Sequence, residues 1–342
     1  MKRRLFFWGG AGCLLLALSM IVSLSLGTAN IPIAEVWSIV LHSVTGWGAE
    51  PISSQAYEQI VLQVRFPRVV LAILVGASLS LAGAAFQGVL RNPLADSYTL
   101  GVASGASFGA AFLISFGWHY VIGQWTVPIA AFITALLSLF IVMRLASVNG
   151  KFKIETIILA GVVVQAFFGA VVSLLVSLSD SVVNEIVFWL MGSLALRDWS
   201  FSMMLAPYLA AGALVLMGFA RALNLFSLGE RQAAHLGVHV ERTKRIVLIL
   251  GTLLSAAAVS VSGTIGFVGL VTPHLIRLLV GPDYRLLLPL SAIYGGIYVL
   301  WADTMARLLL SPTEIPLGVV TAFLGAPFFA WLLVRHKRKV AI

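Results

Sequence analysis

IVLILGTLLSAAAVSVSGTIGFVGLVTPHLI, residues 246–276, contains no charged side chain over 31 positions. About 20 apolar residues span the hydrocarbon of a bilayer. The run is therefore long for one crossing and short for two. Gly263, Gly266 and Gly269 sit near its centre, where glycine permits a tight reversal, so the run is predicted to form two short helices.

The rest of the chain sets the context. Of its 342 residues, 60% are apolar and 10% charged. A soluble domain carries about 25% charged residues to keep its surface hydrated, so the solvent for this much apolar surface is lipid. Other charge-free runs cover 5–26, 69–90, 97–143, 157–179, 199–220, 286–302 and 315–334. The run 97–143 is twice the needed length, and Gly117, Gly123 and Pro128 punctuate its middle, which predicts a helical hairpin. With the run 246–276 counted as two, ten spans result.

Charge placement decides between the alternatives. With ten spans, eighteen of the 22 basic residues fall on the side of the N-terminus, leaving Arg65, Arg68, Arg197 and Arg307 opposite. Counting 246–276 as one helix would reduce that to thirteen against nine. Basic residues concentrate in cytoplasmic loops, so both termini are expected in the cytoplasm. The net charge of +9 then belongs to those loops and implies no nucleic-acid partner.

The N-terminal run admits two other readings. Lys2, Arg3 and Arg4 before residues 5–26 resemble a secretory signal with a cleavage site near 27–29. Cys13 as a lipoprotein anchor fits less well, because most of the apolar run follows it. Length favours a retained span. Between the spans, 33–41 and 186–196 are too short to cross and are expected to lie at the interface or re-enter. Residues 223–245 form the one large loop on the cytoplasmic side. Spans two to five and seven to ten would be inverted repeats, although no sequence identity links them.

Chemistry-bearing motifs are few. Gly150-Lys151 is followed by Phe152, so no phosphate-cradling loop is present. No paired carboxylates or nucleophile constellation lies within a span, and no catalytic residue is expected. His235 and His239 stand one helical turn apart without a completing set of ligands, so no metal or other cofactor is expected. Asp303 falls at the outer end of span nine, where its bland role is pairing with Arg307. Arg65 and Arg68 flank Pro67 at the outer end of span two, against the charge bias. They are either interfacial snorkelling residues or, with Arg307, an exposed cationic cluster for an acidic external partner.

Several strings carry a resemblance. They are RFPR at 65–68, LAGAAFQ at 81–87, RNPLAD at 91–96, LGVASGA at 100–106, WLMGS at 189–193 and LGE at 228–230. GTIGFVGLVTPH at 263–274, Arg277, ADTMAR at 302–307 and EIPLGVVTAFLGAP at 314–327 complete the set. In order and over nearly the whole chain, they resemble the permeases that import iron–siderophores, haem and cobalamin with ATP-binding-cassette (ABC) partners. The resemblance implies an all-α membrane domain over 1–342 with ten helices in a bacterial cytoplasmic membrane. It also implies a second permease subunit (the same chain or a paralogue), two ATP-hydrolysing subunits and an external substrate-binding protein. This chain itself would not be an enzyme.

Carried over by motif, Arg65, Arg68 and Arg307 would dock the binding protein. Residues 228–242, with Gly229, Glu230, His235, Gly237 and Arg242, would seat the ATPase. Asn92 and Leu94 would belong to the inner gate. A ferric siderophore is the first expectation for cargo. A secondary transporter with inverted repeats is the alternative; it would need neither the docking loop nor the arginine cluster.

Overall fold

A computed structural model of the chain describes residues 2–27, 29, 31–46, 55–118, 121–148, 150–179 and 181–340. Thr28 of the conceivable cleavage site, positions 47–54 and Asp180 lie outside the described residues. The architecture is all-α. In order, the helices are α1 (Lys2–Ser25), α2 (Ile33–Thr45), α3 (Gln55–Gln59) and α4 (Phe66–Val89), which a π-helical turn (Ile60–Arg65) joins to α3. Next come α5 (Val102–Ser115), α6 (Thr126–Ala146), α7 (Ile154–Leu178), α8 (Val183–Met191) and α9 (Trp199–Gly218). The chain continues through α10 (Ala220–Phe226), α11 (Glu230–His235), α12 (Val240–Ser262), α13 (Val268–Val280), α14 (Tyr284–Leu308) and α15 (Leu317–Val340). A hairpin pairing Ser147 with Phe152 precedes α7.

Seven of these helices are long and apolar enough to cross a membrane. Among the described residues, Ile33–Ser43 of α2, α5, α13 and Leu317–Trp331 of α15 are apolar but shorter, so the ten spans expected from the sequence are reached only by counting three segments below that length. The hairpin in 97–143 turns through Gly117 and Gly123, both at positive φ. Pro128 instead sits in the first turn of α6. There its missing N–H leaves no bond unmade. Helices α2 and α8 occupy the two segments too short to cross.

The deciding run breaks into unequal pieces. Rather than forming two short helices, it is shared by α12, of 23 residues and begun before it, and α13, of 13 residues and ended after it. Helix α12 starts six residues before the apolar run, where Lys244 is buried on polar partners instead of staying in solvent. Helix α5, at 14 residues, is equally short. At about 1.5 Å per residue, neither reaches across about 30 Å of hydrocarbon.

Helix α4 is the core, with 83% of its apolar window buried against 11% for α1. Glycines let the neighbours approach. A Cβ at Gly76 would lie 2.1 Å from the carbonyl oxygen of Gly295 on α14, and one at Gly83 would lie 2.1 Å from that of Gly269 on α13. Helix α4 thus packs on α12, α13 and α14, while α12 packs on α4, α5 and α6. Each half offers a long helix, then a short one entered through a residue in the left-handed region: Gly101 at φ 71° before α5 and Phe267 at φ 67° before α13. Asp198 caps α9; hydrogen bonds from the Ser200 hydroxyl and N–H hold its carboxyl below the usual carboxylate range.

Candidate functional site

Three groups of residues stand out, at the two ends of the bundle and between them. At the end carrying α2 and α8, Arg65, Arg68 and Arg307 are brought together as expected, but not as an exposed cluster. They are 5%, 8% and 5% exposed. Arg68 forks between two carboxylates. Its Nε and Nη2 each donate to Asp303 Oδ1 at 3.0 Å, and its Nη1 and Nη2 donate to the two oxygens of Glu314 at 2.9 Å. Arg307 Nε lies 3.2 Å from Asp303 Oδ2, the pairing the sequence suggested, and its Nη2 donates to Ser23 Oγ at 3.0 Å. Arg65 donates to the carbonyls of Leu24 and Ala29.

The correction has a plain cause. A guanidinium buried among apolar helices is costly unless paired. Here the chain supplies Asp303, Glu314 and the unsatisfied carbonyls at the end of α1. Three arginines against two carboxylates leave one net positive charge, and that charge is spent on tying α1, α4 and α14 together.

At the opposite end, α11 presents Arg231, Gln232, Ala234 and His235 to solvent and anchors itself through buried Ala233. Gly229 (φ 107°) and Gly237 (φ 86°) are the turns on either side, and a side chain at Gly237 would meet open space. Arg242 is exposed and lines a cleft of about 420 Å³ with Gly237 and His239. Glu230 departs from the expectation of a surface contact. It is turned inward, with Oε2 2.9 Å from the Nζ of Lys244, which is 1% exposed, and Oε1 3.8 Å from Arg91 Nη2. Among the described residues, no cluster of three or more His, Cys, Asp or Glu could hold a metal ion.

Between the ends, the breaks before α5 and α13 meet around a cavity of about 560 Å³. Leu94, Asp96, Tyr98 and Thr99 line it from the first break and Thr264, Gly266 and Phe267 from the second. Gln165 of α7, Met191 of α8, and Gly318 and Ala322 of α15 close it. Irregular backbone at membrane depth is tolerated where it lines a cavity. Asp96 does not offer its charge to the space, because its Oδ1 accepts the N–H groups of Tyr98 and Thr99 at 3.0 Å. Of the two expected gate residues, Leu94 borders the cavity. Asn92 instead makes the preceding turn, its Oδ1 accepting from Leu94 N at 2.9 Å.

The sequence reading missed Tyr98, Gln165, Thr264 and Phe267, and the partnership of Glu230 with Lys244 and Arg91. The glycine-rich segment 263–269 marked the second break, and Lys244 placed three residues after Glu241 hinted at a pair. Nothing local marked the rest.

Comparison with known proteins gives concordant matches. The model of the FecCD transport family matches residues 15–335. An uncharacterized ABC transporter permease protein, YvrB of Bacillus subtilis, is 45% identical over 94% of this chain and 92% of its own length. The cobalamin import system permease protein BtuC of Halobacterium salinarum is 41% identical over 95% of both chains. Further relatives are named for hemin in Yersinia pestis and molybdate in Haemophilus influenzae. Among solved structures, an inward-facing metal-chelate type ABC transporter superposes with TM-score 0.82 at 33% identity, over 98% of this chain and 100% of that one.

Proposed function

Because the chain belongs to the FecCD transport family, and so is the permease of an ABC importer whose ATP hydrolysis resides on separate subunits, we propose that it passes a ferric siderophore or related bulky metal chelate across the cytoplasmic membrane. Family membership also replaces the alternative of a self-sufficient secondary transporter. Relatives carry several cargoes, so the choice among them rests on the cavity.

That cavity, about 560 Å³ with no Lys, Arg or His among the described residues that line it, is the observation that favours a chelate. A small divalent oxyanion would call for cationic or clustered N–H donors. A bulky chelate instead needs width and weak grip, since tight binding would stall release. Exposed apolar side chains such as Phe167 and Phe323 on α7 and α15 suit closure of the path by a second permease subunit, identical or paralogous.

The whole chain acts as one membrane domain with both termini in the cytoplasm, which puts loop 223–245 there and lets 228–242 seat one of two ATP-binding subunits. The opposite end, framed by Arg65, Arg68 and Arg307, receives the external substrate-binding protein. The arginines shape that mouth from beneath. Uptake by the reconstituted complex of a ferric siderophore, hemin, cobalamin and molybdate, each supplied with the binding protein, tests the cargo. Import of molybdate with exclusion of the three chelates would sink the proposal.

A further inference from the structure

Glu230 holds two cations of very different character. Lys244 is fully buried, sits 2.9 Å from Glu230 Oε2 and 3.1 Å from Glu241 Oε1, and also donates to the carbonyl of Phe152. Glu241 in turn accepts the N–H of Phe152 at 2.9 Å. The first turn of α12, the hairpin before α7 and the start of α11 are thereby locked together. Arg91, by contrast, is 41% exposed, and its guanidinium stands 3.8 Å from Glu230 Oε1. One contact is a fixed pivot and the other is a contact that can open.

Arg91 stands two residues past the end of α4, with φ 47°. A non-glycine residue in the left-handed region is uncommon and marks a place where surroundings hold the backbone. It begins the loop that makes the Asn92 turn and brings Leu94 to the cavity, three residues on. The side chain of this strained residue is tied to the first residue of the helix proposed to seat the ATPase.

We propose that Glu230 is a positioning residue that relays movement of α11 through Arg91 to the loop 91–96, using Lys244 as pivot, so that the ATPase sets the position of Leu94. The inference rests on the reading of α11 as the ATPase seat. A half-exposed ion pair adds little to folding stability, so its loss is read in transmission and not in folding.

The test uses the full complex with its ATP-binding subunits, Cys13→Ala to remove the chain's single cysteine, and Leu94→Cys as reporter. Labelling by a methanethiosulfonate reagent is followed with and without ATP and vanadate. ATP should change the labelling rate of this parent about fivefold or more, within the usual range of coupling between sites. Arg91→Gln and Glu230→Gln should each abolish the change. The double variant should match the singles and Arg91→Lys should restore the change; elution and melting of the Arg91→Gln complex should stay at the parent's values, whereas Glu230→Gln also takes a counterion from buried Lys244 and should lower the melt. Switching that survives both substitutions overturns this inference alone. Labelling indifferent to ATP in the parent overturns it together with the seat. Lys244→Met should instead lower the melting temperature, as removal of a pivot would. An unchanged melt would overturn that assignment.

Discussion

Arg68 and Asp303, 235 residues apart in the chain, meet through a guanidinium that spans the carboxylate, with Nε 3.0 Å from Oδ1 and 3.1 Å from Oδ2. Their side chains are 9% and 0% exposed. The pair joins α4 to α14 at the end of the bundle where Arg307 also reaches the same carboxylate. An arrangement of this kind is a strut before it is a surface.

Removing one partner should therefore cost more than removing both. Asp303→Ala leaves Arg68 and Arg307 without their shared counterion, and breaking a buried pair costs roughly 3–5 kcal/mol. Replacing the whole buried group by Arg68→Met, Asp303→Leu and Arg307→Met should cost less. Thermal unfolding in detergent checks this, and an Asp303→Ala variant that melts with the parent would refute the strut.

Reversal of Arg65, Arg68 and Arg307 to Glu should prevent accumulation of folded protein at any ionic strength. Salt weakens exposed clusters strongly and buried pairs much less. Quantifying the variant in membranes decides the point. Normal accumulation with docking that weakens at high salt would return the three residues to the surface.

Reporter fusions after Ser262 and after Ile342 should report opposite sides, outside and inside respectively. The expectation follows from basic residues gathering on the cytoplasmic face. Both reporters on one side would overturn the ten-span orientation and the placement of α11.

Gly237→Asp should leave folding nearly intact while uncoupling ATP hydrolysis from import. The backbone there has φ 86° and faces open space, and Asp tolerates the left-handed region better than most residues. What changes is charge and bulk beside the seat. Unchanged ATPase activity and uptake in the assembled complex would argue that the partner docks elsewhere.

Gly83→Leu should do the reverse and strike folding first. Its Cβ would stand 2.1 Å from Gly269 O, which is backbone and has no rotamer to yield. Overpacking of this sort costs typically 1–3 kcal/mol or more. A melting temperature equal to the parent's would show that α4 and α13 separate more easily than their contact implies.

Much of the architecture was legible without coordinates because it follows from transfer of apolar runs into lipid, which depends on composition and length. The long apolar helices, the hairpin within 97–143 and the two segments too short to cross all came from that rule. The reversal near Gly263 came from glycine's conformational freedom. The motif strings carried the family. The pairing of Asp303 with Arg307 was readable because the two lie one helical turn apart.

What the sequence could not decide is where each polar side chain spends its charge. Arg68 looked free because its partners are 235 and 246 positions away. Glu230 looked like a surface contact because Arg91 and the foot of α12 reach it only after the bundle closes. The extension of α12 ahead of residue 246 goes with burial of Lys244 beside Glu230, Glu241 and Phe152, which local hydropathy does not register. The left-handed turn at Phe267, a residue type that rarely adopts it, forms where the second break meets Tyr98 across the cavity. Hydropathy and turn chemistry act over a few residues and are written along the chain. Ion pairing in a low-dielectric interior acts between whichever groups the packing brings within about 4 Å, and only the tertiary structure chooses them.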